Sequence, residues 1–77
     1  MEYPIFIYHE LIIRLREIEP NLGGFSTVNV QADHCVIFTT SGSFRVGDDL
    51  LDKQYRDPKS IGSEDLQALL AGFQRVG

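Results

Sequence analysis

One cysteine and two histidines are the side chains with the clearest chemical potential. Cys35 directly follows His34, and His9 is the other imidazole. A histidine within hydrogen-bonding reach can help to form a thiolate, as a cysteine nucleophile requires. Cys35 and His34 lie, however, where the chain alternates like a β-strand, and consecutive strand side chains point to opposite faces. We therefore expect Cys35 to be a small buried apolar residue, with a Cys/His enzyme as a weaker alternative.

Metal sites have characteristic spacings that this chain lacks. The histidines, Cys35 and Asp33 are suitable ligands by type, but structural zinc sites usually contain close pairs such as C-x2-C or H-x3-H. Asp48, Asp49 and Asp52 do not follow the D-x-D-x-D-G pattern of a calcium loop. We expect neither a metal nor a cofactor.

The composition describes one small domain, residues 1–77, with seven Lys and Arg against eleven Asp and Glu and a net charge of -4. Because cations are outnumbered, this balance argues against nucleic acid as the main partner. A lone cysteine fits a reducing compartment. Glu2 stands where a secretory signal would be basic, and His9 and Glu10 interrupt the first apolar run, so we expect no leader and no membrane span. The expected location is the cytoplasm of the cell or host cell.

The first predicted element is a helix over residues 5–18. Pro4 can occupy its first turn, and Pro20 indicates its end. Its apolar residues recur at spacings of three and four and are Ile5, Tyr8, Leu11, Ile12, Leu15 and Ile18. Glu10 and Arg14 have the spacing of a surface ion pair. The first three residues of the helix could also form an extended arm.

Three following stretches are rich in β-branched and aromatic residues that alternate with polar ones. They cover residues 25–31, 35–40 and 43–46. Residues 31–34 and 41–42 are turn candidates between them. The pattern predicts a three-stranded antiparallel meander.

Two independently chosen registers agree on which face of this meander is buried. The first loop places Val30 opposite Cys35, and the second places Ile37 opposite Val46. Both put the same apolar residues on one face, namely Val28, Val30, Cys35, Ile37, Phe44 and Val46. This agreement supports the meander more strongly than either register alone.

The remaining chain is predicted to be a loop and a second helix. Residues 47–62 show no sustained period, although Leu50 and Leu51 allow a helical turn or the end of the third strand. The acidic residues of this expected loop include Asp48, Asp49 and Asp52. Ser63 is expected to cap the last helix. Its apolar stripe comprises Leu66, Leu69, Leu70, Phe73 and Val76. The predicted fold is a single small α+β domain, in the order α-β-β-β-α.

Double-stranded-RNA-binding domains are similar to this chain in the order of elements only. The basic cluster that opens their second helix is replaced here by Ser63, Glu64 and Asp65. Without those cations the RNA function is not expected to apply.

Surplus apolar residues give the strongest functional indication. Phe6 and Ile13 lie on the side of the first helix opposite its main stripe. The meander face opposite the predicted core carries Phe25, Val36, Phe38 and Arg45, with Thr27, Asn29 and Thr40. Such a mixture is typical of an interaction surface. A helix on each sheet face, or a fourth strand from residues 47–62, would instead bury it internally.

The sequence therefore predicts a non-catalytic module that binds another protein, as a small regulator or inhibitor. The expected contacts are the surplus residues of the sheet and helix, with the acidic loop guiding the domain toward a basic target. Phage-encoded inhibitors of host defence include acidic chains of this size, an analogy of size and charge alone. The alternatives are a homodimeric accessory subunit and a single-strand nucleic-acid binder that stacks bases on Phe25 and Phe38.

Overall fold

The structure is a computed structural model that describes residues 3–76. Within them the helices are α1 (Ile5–Ile18), α2 (Asp48–Arg56) and α3 (Ser63–Ala71), and the strands are β1 (Phe25–Val30), β2 (His34–Thr39), β3 (Gly42–Gly47) and β4 (Gln74–Arg75). The predicted α+β class and antiparallel sheet are confirmed, but the sheet has four strands rather than three. The expectation about a leader rests on Glu2, which lies outside the described residues.

The domain has two layers, with the helices together on one face of a sheet of order β1-β2-β3-β4. The core between the layers contains Cys35, Ile37, Phe44 and Val46 from the sheet. It also contains Ile7, Tyr8, Leu11, Ile12, Leu15, Leu51, Leu66 and Leu69 from the helices. The other face of the sheet has no buried side chain among the described residues. A helix on each face, one of the internal explanations for the surplus residues, is therefore wrong.

Helix α1 has the predicted bounds, but its buried stripe is slightly rotated. Ile7 is buried, whereas Ile5 and Ile18 at the two ends are exposed. Arg14 does not pair with Glu10 but donates to the carbonyl oxygens of Pro58 at 3.0 Å and Ile61 at 2.7 Å. Glu10 instead accepts from the Gln54 amide. These polar contacts fix α1 against α2 and the segment that follows it.

The β1–β2 register is confirmed, since Val30 pairs with Cys35. The predicted β2–β3 register is wrong by two residues, because Ile37 pairs with Phe44 rather than with Val46. The turn is Thr40-Ser41 instead of Ser41-Gly42. A shift of two residues keeps every side chain on its predicted face, so the buried face was correct although the pairs were not.

A buried threonine explains where this turn forms. Thr39 is on the covered face, and its hydroxyl donates to the Gly42 carbonyl oxygen at 3.0 Å. The same oxygen accepts the N–H groups of Ser41 and Gly42, each at 3.1 Å. Because the side chain satisfies these groups, the hairpin closes one residue earlier than the glycine indicated.

Strand β4 is the short fourth strand, formed after α3 rather than from residues 47–62. It pairs only with the start of β3, through Gly42 with Arg75 and Ser43 with Gln74. A Cβ atom on Gly42 would overlap the Gln74 carbonyl oxygen and approach the Arg75 Cα to 2.8 Å. Glycine is needed there because the backbone of β4 passes so close.

Helix α2 replaces most of the long loop predicted for residues 47–62. Asp48 and Asp49 occupy its first turn, where the helix dipole favours negative charge. Leu51 is fully buried and anchors the helix to the core. None of the helices formed by residues 3–76 combines the length and apolar character that crossing a bilayer requires.

Candidate functional site

The open face of the sheet, which none of the described helices covers, is the candidate functional site. The β-ladder sets its side chains in two cross-strand rows, Asn29–Val36–Arg45 and Thr27–Phe38–Ser43, with Gln74 beyond Ser43. We use "open face" below for these residues together with His34. Within each row, a side chain lies directly beside the side chain of its partner on the next strand.

Val36 and Phe38 form the apolar centre of the open face. Both lie on β2, which is hydrogen-bonded on both sides, and both are half-buried by their neighbours. Neither belongs to the core or to the side chains packed against it. Their predicted position on the face opposite the core is confirmed, and their apolar surface remains partly accessible.

Arg45 provides the cation of the open face and is exposed, as the alternation predicted. Strand β4 covers only the first two residues of β3, so no described strand lies on the outer side of β3 where it reaches Arg45. A shallow groove of about 140 Å³ lies there. It is lined by Val36, Ser43, Phe44, Arg45, Gly72 and Gln74. The guanidinium therefore borders a small depression beside the apolar centre.

The open face extends to His34 at the start of β2, beside Asp33 of the preceding turn. His34 has the same strand parity as Val36 and Phe38, and its Nδ1 donates to the Asp33 Oδ1 at 2.7 Å. This hydrogen bond and the charge of His34 lower the pKa of Asp33, with a smaller contribution from Arg45. The sequence pattern predicted a loop over residues 31–34. Extending the strand alternation back from Val36 would have indicated that His34 lies on the open face.

Phe25 does not lie on the open face, contrary to the prediction. The β1–β2 register shifts between Phe25 and Thr27, so Phe25 pairs with Thr39 of the covered face. Its ring stacks on Tyr8 at a centroid distance of 6.4 Å and meets the His9 ring at 4.5 Å. The extra residue of this bulge reverses the alternation, and α1 supplies rings on which Phe25 packs.

Phe6 and Ile13 are exposed, as their positions on α1 predicted, at 51% and 57% of their surface. They belong to the helix layer, however, whereas Val36, Phe38 and Arg45 lie on the outer side of the sheet. One flat partner surface cannot cover both sets at once. The predicted contact residues therefore fall on separate surfaces.

The three aspartates expected in a guiding loop lie in the helix layer, on α2. Asp52 accepts a hydrogen bond from the Arg56 Nε at 2.8 Å, four residues along the same helix. Asp49 borders, with Lys53, a hollow of about 270 Å³ between α2 and α3. Asp48 lies near enough to Cys35 to raise the pKa of its thiol. These acids contribute to the negative electrostatic potential around the domain, but they do not border the open face.

The Cys35 thiol is 1% exposed and lies in the core, as predicted. Burial raises its pKa to about 11, with a further contribution from Asp48. The His34 ring belongs to the opposite sheet face, and the His9 ring packs on Phe25. Neither imidazole is thus positioned to accept the proton of the Cys35 thiol, and the buried environment disfavours the thiolate. Among residues 3–76, no group of three or more Cys, His, Asp or Glu side chains is placed to hold a metal ion.

Comparison with known proteins returned no similarity: no family model, no curated protein and no solved structure matches this chain. The features that bear on function are therefore the two-layer architecture and the chemistry of the open face.

Proposed function

We propose that this domain is a non-catalytic protein-binding module that acts as a small regulator or inhibitor by covering a surface of another protein with its open face. The observation that carries the proposal is an uncovered sheet face with Val36 and Phe38 at its centre and Arg45 beside them. Aromatic residues and arginine are enriched among residues that dominate interface energy.

The arrangement of the open face supports binding to a flat or gently convex partner. The apolar pair is central, and polar side chains surround it, namely Thr27, Asn29, His34, Ser43 and Arg45. An apolar centre with a polar rim is the usual organisation of a protein interface. The contact residues lie on hydrogen-bonded strands, so little conformational entropy of the backbone is lost on binding.

Charge acts at two distances in this proposal. At long range the net charge of -4 favours approach to a basic partner and steers the encounter. At contact, Arg45 is suited to a carboxylate or carbonyl of the partner because its guanidinium can donate two parallel hydrogen bonds. The proposed target thus combines an overall basic surface with an acceptor group near its contact patch.

The position of Phe25 favours this proposal over single-strand nucleic-acid binding. Base stacking was expected to use Phe25 and Phe38 together, but the bulge turns Phe25 toward α1. Phe38 remains as the aromatic of the open face, and Arg45 with His34 offers few cations for a phosphate backbone.

The test is capture of the target by the tagged domain and by two matched variants. Phe38→Asp places a charge at the centre of the open face, and Phe6→Asp makes the same change on the helix layer. Proteins recovered from the source cell or host are quantified by mass spectrometry, and the target is then titrated against each variant. We expect Phe6→Asp to bind normally and Phe38→Asp to lose at least about tenfold in affinity.

Circular dichroism establishes that both variants are folded before binding is compared. The proposal is contradicted if Phe38→Asp retains full affinity, or if Phe6→Asp alone loses it. Failure of the wild-type domain to retain any protein in stoichiometric amount also counts against it.

A further inference from the structure

Strand β1 forms an outer edge of the sheet, since β2 is its neighbour on one side and no described strand lies on the other. The Gln31 N–H donates to the His34 carbonyl oxygen at 2.9 Å, which continues the ladder between β1 and β2. Antiparallel ladders alternate the direction of these groups along a strand. The N–H and C=O groups of Val28 and Val30 therefore point away from β2, toward the open edge.

This edge has few of the features that normally prevent strands of two molecules from pairing. The sequence of β1, Phe25–Val30, contains no proline and no charged residue. Its bulge is confined to the first residues, and pairing is regular from Thr27 to Val30. Proteins usually protect exposed edges with charges, prolines or bulges, because an unprotected strand can add another one.

An exposed apolar flank of α1 lies next to this edge. Helix α1 packs over β1, whereas α2 and α3 contact β3, so α1 is the outermost helix on the β1 side. At about 100° per residue, Ile5, His9 and Ile13 share one flank of α1 with the exposed Arg16. Arg14 projects from roughly the opposite side toward the segment after α2. Ile5 and Ile13 are 58% and 57% exposed. We call Ile5, His9 and Ile13 the α1 flank.

We propose that the β1 edge and the α1 flank together bind a second copy of this chain about a twofold axis. The two β1 strands pair antiparallel through Val28 and Val30, and the two α1 flanks pack against each other above them. The result is one continuous eight-stranded sheet with the helices of both copies on the same face.

A second copy fits better than a foreign extended segment because two features must be covered together. A peptide that adds to β1 satisfies the strand edge but leaves Ile5 and Ile13 exposed. A symmetric copy presents its own β1 edge and its own α1 flank in the same arrangement, so both features are covered at once. Dimerisation would also enlarge the core of a domain whose size limits its stability.

The distribution of charge is compatible with self-association despite the net charge of -4. Strand β1 is uncharged, so pairing the two β1 strands places no like charges opposite each other within the sheet. Many of the acids lie on α2, the turn after it and α3, near β3 and away from the β1 edge. They are Asp48, Asp49, Asp52, Asp57, Glu64 and Asp65.

The dimer is tested by sedimentation equilibrium of the untagged chain between about 5 and 500 μM, because association is governed by concentration. We expect the mass to rise from the monomer value of 8.7 kDa to twice that value. A wild-type chain that remains monomeric throughout overturns the proposal, including the case in which the edge serves a foreign strand.

Two pairs of variants locate the interface. Val30→Pro removes an N–H that points away from β2, and Val30→Ala shortens the same side chain but keeps the N–H. The double variant Ile5→Lys, Ile13→Lys is matched by Gln67→Lys, Ala71→Lys on the exposed surface of α3. We expect the first member of each pair to weaken dimerisation at least about tenfold, with its control near wild type.

Circular dichroism shows whether each variant is folded, and the α1 variants decide the case if Val30→Pro is not. A dimer that survives both the proline and the lysine substitutions uses another surface and overturns the proposal. The Phe38→Asp variant is expected to dimerise normally, so this inference and the proposed function fail independently.

Discussion

The two faces of the sheet are built from the same strands but have different surroundings. On β2, Cys35 and Ile37 point into the core, whereas Val36 and Phe38, which alternate with them, lie on the open face. The residue types on the two faces are similar, since each includes an aliphatic and an aromatic side chain. What differs is whether helices cover them. Alternation therefore lets one short strand contribute to stability on one face and, in the proposed function, to binding on the other, provided that all helices pack on one side.

This difference has a consequence for mutagenesis. Residues adjacent in sequence are expected to give opposite results, one set changing the free energy of unfolding and the other changing affinity for a partner.

The strongest contrast is between Ile37→Asp and Phe38→Asp. Ile37 is 0% exposed, so an aspartate there buries an unpaired charge. Such a change costs about 4 kcal/mol or more, which approaches the whole stability of many small domains. We expect Ile37→Asp to lack a cooperative urea transition and Phe38→Asp to retain one. If both variants unfold, Phe38 contributes to the core, and the proposed difference between the two faces of the sheet is contradicted.

Arg14→Met tests how strongly the helix layer depends on the contacts from α1 to the carbonyl oxygens of Pro58 and Ile61. The substitution keeps much of the side-chain length but removes two charge-assisted hydrogen bonds. We expect a loss of about 1–3 kcal/mol in urea denaturation. Arg16→Met, on the exposed surface of the same helix, should have little effect. Equal effects for the two variants would show that these contacts do not stabilise the fold.

Cys35 makes the stability of the covered face dependent on alkaline pH. Its thiol has a pKa of about 11 in the folded chain and an ordinary value of 9.0. Between these values the unfolded chain loses the proton while the folded chain keeps it, so stability falls as pH rises from about 9 to 11 by up to about 2 kcal/mol. Burial also raises the pKa of Tyr3. We therefore compare the slope of the free energy of unfolding against pH between the wild type and Cys35→Ala. The slope should be shallower for Cys35→Ala, and identical slopes would contradict a buried thiol.

The smallest effect is expected for Asp52→Asn, which removes the ion pair with Arg56 on the surface of α2. Exposed pairs of this type contribute little because water and salt screen them. We expect no measurable shift of the urea midpoint and no change in partner affinity if contact is made by the open face. A clear loss of affinity would instead show that α2 takes part in the contact.

Local periodicity was sufficient to predict much of the fold. The three-and-four spacing predicted α1 with the bounds Ile5–Ile18, and alternation predicted the covered face of the meander. The predicted β2–β3 register was wrong by two residues because glycine is a common turn residue, and Gly42 was therefore placed in the turn. The hydroxyl of Thr39 decides that turn, and its hydrogen bonds depend on the closed hairpin.

The remaining errors arose where contacts distant in sequence decide the structure. Phe25 was assigned to the wrong face because the bulge follows from packing on Tyr8 and His9, which the alternation of β1 does not reveal. Helix α2 is short and polar, and its formation depends on burying Leu51 against the core. Within the candidate site, Val36, Phe38 and Arg45 were predictable from alternation alone.

An NMR titration of the isotope-labelled domain with its captured target tests most directly whether the open face makes the contact. If the open face makes the contact, chemical-shift changes will concentrate at His34, Val36, Phe38 and Arg45, while the amides of α2 and α3 remain nearly unchanged. Changes concentrated on the helix layer, with the open face unaffected, would contradict the proposed function.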